Sequence, residues 1–142
     1  MLGSDYPIIY WDTSAILSFL FEDQHTHEAR QYVENNGRVH LISSLAWAEA
    51  LAVISRLRRE KALDMPLIKQ AISTIEFGPW RRVNAWPEWK MLKRLAAKWP
   101  LRGADLWHLG TAITLQQDLP QLCLLTFDKR LLTAANGEGL IN

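Results

Sequence analysis

The chain has 142 residues, of which 49% are hydrophobic, with one cysteine and a net charge of +1. This length predicts one domain, residues 1–142, with enough core to fold without covalent staples. A single cysteine excludes a disulfide framework and a zinc–thiolate site. No stretch approaches the ~18 apolar residues of a membrane span, and the N-terminus lacks the pattern of a secretion signal. We therefore expect a cytoplasmic protein without membrane attachment.

The small net charge hides an uneven distribution. Residues 56–102 carry twelve basic and four acidic side chains, whereas residues 1–55 and 103–142 are both net acidic. A basic segment in a near-neutral protein is typical of chains that bind a polyanion. Solvated helix faces are the more common cause of such a count, so both explanations stay open.

The first strong pattern is a short apolar run that contains one acid. Ile8–Trp11 has the β-branched and aromatic composition of a strand buried on both faces, and Ser14–Phe21 is typical of an apolar helix. Asp12 lies at the joint. In open α/β sheets, the carboxyl ends of the strands are where ligands bind. Aspartate is also a favoured helix N-cap, so Asp12 has two explanations at this point.

The rest of the chain alternates helices with strands. Asn36 and Gly37 are expected to end the second helix, with glycine in a left-handed conformation. Strands are predicted over residues 38–43, 80–84 and 122–126, and residues 140–141 are expected to begin a fifth. Further helices are predicted over residues 26–35, 45–61, 65–77, 88–98, 105–117 and 129–135. This order predicts a three-layer α/β fold, with a central parallel sheet of four to five strands and helices on both faces.

Three more acids share the apolar surroundings of Asp12. Glu49 is the one charged residue between Ser44 and Ser55, Asp105 heads an apolar segment, and Asp128 follows the last predicted strand. In a right-handed βαβ sheet these positions gather at one edge. Helix capping explains each of the three aspartates individually, but it does not explain Glu49.

Converging carboxylates need a cation. Two of them ~4 Å apart repel by about 4 kcal/mol at an effective dielectric constant of ~20. Either some become protonated or a divalent metal joins them. Ligation by carboxylate oxygens suits Mg²⁺ or Mn²⁺, and such ions activate water for the hydrolysis of phosphodiesters. The predicted catalytic and metal-binding residues are Asp12, Glu49, Asp105 and Asp128.

The same residues carry a family resemblance. The chain resembles PIN-domain ribonucleases, and its single-domain size resembles a VapC-type toxin of a toxin–antitoxin pair. The matching motifs, in the family's order, are Asp12–Ala15, Ser44–Glu49, Ala104–Leu109 and Leu125–Leu131. The resemblance implies that the four acids hold one or two Mg²⁺ or Mn²⁺ ions and activate water for RNA cleavage. It further implies that hydroxyls at Ser14 and Thr126 hydrogen-bond these carboxylates.

The resemblance also implies partners. These are an RNA substrate, a second copy of the chain in a homodimer, and a small antitoxin protein that covers the acidic site. The tryptophans Trp11 and Trp107 flank two of the acids, and they depart from the family pattern in a way that concerns the choice of substrate.

Basic and aromatic residues suggest where RNA would bind. The candidates are Arg56, Arg58 and Arg59, and also Arg81 and Arg82, which begin a segment where tryptophans and cations alternate. Such mixtures bind phosphates and stack bases. Cations near a helix C-terminus and tryptophans at helical spacing also have purely structural explanations. His108, three residues after Asp105, fits either a contact to the site or a position in the core.

Two other functions remain open on sequence grounds. A receiver-like signalling module shares the doubly wound sheet with acids at the strand ends, but residues 80–86 lack the acid that it would need. A non-catalytic binding module on the same fold would be expected to lose some of the four acids, and all are present. Ser14 stands where a haloacid-dehalogenase-type phosphatase has its second aspartate, and no phosphate-binding glycine loop occurs.

Overall fold

A computed structural model describes residues 7–35 and 37–141. Within these residues the sheet has four strands and every pairing is parallel. The strands are β1 (Ile8–Trp11), β2 (Val39–Ser43), β3 (Trp80–Val83) and β4 (Leu122–Leu125). The helices are α1 (Thr13–Leu20), α2 (Thr26–Glu34), α3 (Ser44–Arg59), α4 (Met65–Phe77), α5 (Trp89–Lys98), α6 (Gly103–Asp118) and α7 (Lys129–Gly137). None of these described helices is both long and apolar enough to cross a lipid bilayer.

The strand order places β1 between β2 and β4 in the sheet. The order is β3-β2-β1-β4, and Ile8 of β1 pairs with Val39 on one side and Leu122 on the other. Because all strands run the same way, the residues that follow β1, β2 and β4 meet at one edge. The order also differs from the 2-1-3-4-5 order of flavodoxin-like and receiver sheets, which counts against a receiver-like module.

Two hydrophobic cores lie on opposite faces of the sheet. Side chains alternate along β1, so Ile9 and Trp11 pack with α1 to α4, whereas Tyr10 packs with α5 to α7. All three are fully buried. This is why β1 is apolar at successive positions rather than at alternate ones. The predicted three-layer α/β fold with helices on both faces is confirmed.

Several local predictions need correction. Residues 140–141 do not form a fifth strand among the described residues, although the Leu140 carbonyl accepts a hydrogen bond from the Leu124 amide at 3.2 Å. The sixth helix begins at Gly103, two residues before the predicted start, so Asp105 is not its cap. Gly37 has the expected positive φ of 88°, and Asn36 lies outside the described residues.

Three tryptophans have structural positions: Trp80 and Trp99 from the segment where tryptophans and cations alternate, and Trp11 beside Asp12. Trp11 is fully buried, and its ring meets that of Trp80 edge-on at 5.1 Å. The Trp11 indole donates to Nδ1 of His40 at 3.0 Å. Trp99 is partly buried and donates to Glu138 at 3.1 Å. Trp11 and Trp80 therefore serve to pack the core, where their large rings fill the volume between the sheet and the helices.

Candidate active site

Asp12 is the most deeply buried acid at the carboxyl edge of the sheet. It directly follows β1 and is 1% exposed. Its Oδ1 accepts from the Ala15 amide at 2.8 Å, which makes it the N-cap of α1. The hydroxyls of Ser14 and Thr126 also donate to its carboxylate. Burial raises the pKa of Asp12 above its ordinary value, and these hydrogen bonds only partly oppose that effect.

The Ser14 and Thr126 hydroxyls join two loops around this carboxylate. Ser14 Oγ accepts from the Phe127 amide at 3.2 Å, and Thr126 Oγ1 accepts from the Asp128 amide at 3.1 Å. Each hydroxyl therefore contacts the β1–α1 joint and the β4–α7 joint together. Such bonds fix the orientation of a carboxylate.

Glu49 reaches the edge from the second turn of α3. Its Oε1 accepts from the Thr13 hydroxyl at 2.8 Å and lies 3.5 Å from Nε2 of His108. The contact with His108, supported by that with Thr13, lowers the pKa of Glu49 despite the opposing effect of partial burial. Glu49 is therefore negatively charged at neutral pH, and its position on α3 serves this contact rather than a helix cap.

His108 is a component of the site that sequence reasoning did not assign. It is 1% exposed on α6, its Nδ1 lies 2.7 Å from the Tyr10 hydroxyl and its Nε2 lies 3.2 Å from Thr13 Oγ1. Because Thr13 donates its hydroxyl proton to Glu49, it accepts from His108, so Nε2 of His108 carries a proton. In the sequence, its position three residues after Asp105 indicates that both side chains lie on one face of the helix. In the structure, His108 is both buried and in contact with Glu49.

Asp105 lies in the first turn of α6 rather than at its cap. Partial burial raises its pKa, and the negative charges of Asp128 and Glu49 raise it further. The attraction of His108 and Arg102 opposes these effects. The structure therefore brings Asp128 and Glu49 close enough to Asp105 for their charges to affect its pKa.

Asp128 combines two roles at the start of α7. Its Oδ1 accepts from the Leu131 amide at 2.9 Å, so it caps the helix as predicted. Its backbone amide donates to Thr126, which in turn donates to Asp12. Asp12 and Asp128 are thus both helix caps, as predicted. They also lie together at the carboxyl edge, where Thr126 connects them.

The donor set suits a hard divalent cation. All four side chains offer carboxylate oxygens, and at Asp12 and Asp105 the surroundings disfavour the negative charge that a cation would favour. As arranged in residues 7–35 and 37–141, however, no three acidic, imidazole or thiol groups form a metal-sized cluster. The donor chemistry and the electrostatics of the four carboxylates fit a metal ion. In the described residues, however, these carboxylates lie farther apart than the ligands of one bound ion.

The predicted basic residues occupy two different regions. Arg56, Arg58 and Arg59 are exposed in the last turn of α3, at the end opposite to Ser44. A cation there interacts favourably with the helix dipole. Arg81 and Arg82 are exposed on the edge strand β3. The guanidinium of Arg82 lies over the Trp47 ring, 4.1 Å from its centroid, near the carboxyl edge.

The family follows from comparison with known proteins. The family model described as the PIN domain matches residues 9–137 of this chain. The chain belongs to the PIN-domain family. Comparison with curated proteins gives no match. The region matched contains Asp12, Glu49, Asp105 and Asp128, so this PIN domain includes all of the acids at the carboxyl edge.

Solved structures show the same fold. VapC20 of Mycobacterium tuberculosis, described as a toxin that cleaves the sarcin–ricin loop, superposes with a TM-score of 0.57 at 14% identity, covering 89% of this chain and 94% of that one. PAE2754 from Pyrobaculum aerophilum gives a TM-score of 0.57 at 17% identity, covering 93% of this chain and 87% of that one. At these identities the similarity concerns the fold of this PIN domain.

Proposed function

We propose that this PIN domain is a Mg²⁺- or Mn²⁺-dependent endoribonuclease that acts as the toxin of a toxin–antitoxin pair. The observation that carries the proposal is the group of acids at the carboxyl edge. The charges of Asp128 and Glu49 raise the pKa of Asp105, and Asp12 is buried at the same edge. If these acids had only a structural role, each would be expected to cap a helix. Glu49 instead lies inside α3, whose N-cap is Ser43. Membership of the PIN-domain family and the fold shared with a toxin support the same function.

The four carboxylates would hold the cation. We assign metal binding to Asp12, Glu49, Asp105 and Asp128, and the bound ion supplies the Lewis acidity that phosphodiester hydrolysis requires. The chain itself fixes the carboxylates. Asp12 is oriented by hydroxyls from two loops, and Glu49 is kept ionised by its contacts with His108 and Thr13.

The hydroxyls and the imidazole position the acids without touching the reacting atoms. Ser14 and Thr126 hold the Asp12 carboxylate, which leaves little rotational freedom for its two oxygens. His108 links Tyr10 of β1 to Glu49 of α3, so it fixes two elements relative to each other. Such supporting contacts commonly change metal affinity by about 10- to 100-fold when they are lost.

RNA would reach the acids over basic surface. We assign phosphate contacts to Arg82 and Arg81 on β3, where Arg82 lies near the carboxyl edge. Arg56, Arg58 and Arg59 would contact the phosphates of a longer RNA, because this cluster lies at the far end of α3. Each phosphate contact should contribute to the salt dependence of binding.

The family and the fold support the proposed partners. They are an RNA substrate, a small antitoxin protein that covers the acidic edge, and a second copy of the chain in a homodimer, all in the cytoplasm. A covering protein is physically sensible because an uncovered set of acids that cleaves RNA would harm the cell that makes it. A non-catalytic binding module would need no acidic neighbours around Asp105, so the effect of Asp128 and Glu49 on its pKa favours the nuclease.

The direct test is cleavage of RNA by the purified chain. We expect Mn²⁺ or Mg²⁺ to support cleavage of single-stranded RNA at internal bonds, excess chelator to stop it, and renewed metal to restore it. Gel analysis of end-labelled RNA separates internal cleavage from removal of terminal nucleotides. Cleavage that persists unchanged in chelator would exclude the metal mechanism, and an absence of cleavage on a broad pool of RNA would favour the binding module.

A further inference from the structure

A groove with aromatic walls lies at the carboxyl edge, and it contains Arg82, to which a phosphate contact is assigned in the proposed function. It consists of two adjoining pockets that share Ser44. The first includes Trp47, Arg82 and Asn84, and the second includes Leu45, Ala104 and Trp107. We call this the Trp47–Trp107 groove. Its two tryptophans come from α3 and α6, the helices that also carry Glu49 and Asp105.

The groove borders the carboxyl edge of the sheet on the side of β2 and β3. Trp47 and Trp107 each lie two residues from an acid of the same helix, so they face a different side of that helix from Glu49 and Asp105. Ser44, which both pockets share, begins α3 directly after β2 at the carboxyl edge. A polymer bound across the acids would therefore continue into this groove on the side of β2 and β3.

Arg82 is held in a geometry that suits phosphate. Its guanidinium stacks on Trp47 at 4.1 Å from the ring centroid. Stacking uses the flat face of the group and leaves the N–H donors at its rim available for an anion. Among the described residues, Arg82 forms no ion pair with a carboxylate. The cation is thus oriented in advance, and its charge is not neutralised by the protein.

Trp107 offers a surface for stacking in the second pocket. It is partly buried, and its ring meets that of the neighbouring His108 edge-on at 5.6 Å. The pocket beside it has a volume of about 470 Å³. An aromatic ring held at an open pocket stacks on bases of any sequence, because every base has a π-face.

We propose that the Trp47–Trp107 groove is a nucleotide subsite for one arm of the substrate RNA. Arg82 binds a backbone phosphate next to the one that is cut, and an unpaired base stacks on Trp107. The inference rests on the proposed function. A nucleic acid is favoured over an acidic peptide because the groove pairs one oriented cation with two indole rings, which matches the alternation of phosphate and base.

The test measures binding rather than cleavage. A variant with Asp12→Asn serves as the background, so that RNA stays intact, and the probe is a fluorescent eight-nucleotide single-stranded RNA of mixed sequence. We expect Arg82→Ala to weaken binding about tenfold and to lower the salt slope by roughly 0.7. Arg30→Ala, which removes the same charge from the distant helix α2, is the control and should change neither quantity appreciably.

A separate set of variants tests whether a base stacks on Trp107. Trp107→Leu should weaken binding by about tenfold, and Trp107→Phe should restore most of it, because phenylalanine keeps a ring at the same position. With an abasic oligomer of the same length, the effect of Trp107→Leu should vanish while that of Arg82→Ala remains. Thermal unfolding of each variant distinguishes lost contacts from a damaged fold.

The outcomes separate the subsite from the nuclease. If Arg82→Ala behaves as Arg30→Ala does, or if Trp107→Leu weakens the abasic oligomer equally, the subsite is wrong even when the unsubstituted chain cleaves RNA. If the chain binds RNA through Arg82 and Trp107 but never cleaves it, the groove stands and the nuclease assignment fails. Failure of the background variant to bind RNA at low salt would overturn the subsite.

Discussion

Replacing Asp12 with asparagine is expected to reduce metal-dependent RNA cleavage by more than about a hundredfold, since loss of a supporting contact alone costs about 10- to 100-fold. The carboxamide keeps an oxygen for the Ala15 amide, and hydroxyls can accept as well as donate, so the local hydrogen bonds can persist. Cleavage rates with Mn²⁺ measure the effect. The control is Asp118→Asn, which removes an exposed charge at the end of α6 and should retain full activity. Undiminished cleavage by the Asp12 variant would remove this residue from the mechanism.

The same substitution has an opposite effect on stability without metal. Burial raises the pKa of Asp12 in the folded chain, whereas in the unfolded chain it is about 3.9. The contribution of Asp12 to stability is therefore complete below the unfolded pKa and declines as pH rises through the folded pKa. At neutral pH and in chelator, Asp12→Asn should unfold at the same or a higher temperature than the unsubstituted chain. A marked loss of stability would mean that the charge itself holds the two loops together.

Replacing Thr126 with valine is expected to weaken Mn²⁺ binding by about 10- to 100-fold. Valine has nearly the same shape but cannot donate to Asp12 or accept from the Asp128 amide. The unpaired amide should also lower the free energy of unfolding by about 1–3 kcal/mol. Calorimetric titration with Mn²⁺ measures the first effect, and denaturant unfolding measures the second.

Two matched variants make the result specific. Thr126→Ser keeps the hydroxyl and should retain most of the affinity. Thr133→Val removes a hydroxyl on the exposed face of α7 that donates to the Lys129 carbonyl, and it should have little effect on either quantity. If Thr126→Val binds Mn²⁺ as well as Thr126→Ser does, the hydroxyl does not position Asp12 for a metal.

The fold was predictable because the buried strands have a simple composition. Ile8–Trp11 and Leu122–Leu125 are apolar at consecutive positions, since helices cover both faces of the sheet. β3 has the least strand-like composition of the four strands, and the structure shows why. As an edge strand, it exposes Arg81 and Arg82, so its composition resembles that of a polar loop.

The contacts within the site depend on tertiary structure and left weaker signals. Nothing local in the sequence reveals that His108 contacts Tyr10, which lies 98 residues earlier. The start of α6 was misplaced because Gly103 and Ala104 resemble a loop, and because an aspartate is expected at a helix cap. The sequence also left the role of Trp80 open, because stacking on RNA and packing in a core require the same type of side chain.

The most direct test of the central claim is Mn²⁺ binding by calorimetry, with the unsubstituted chain compared with Glu49→Gln. Glu49 is the acid that helix capping does not explain, and it joins the site from α3. We predict binding to the unsubstituted chain that falls clearly in the variant, because a carboxamide carries no charge to offer the cation. If neither protein binds Mn²⁺, the titration is repeated with a short RNA that supplies phosphate oxygens. Equal binding by both proteins, or none with RNA present, would contradict the claim that the four acids form one metal site.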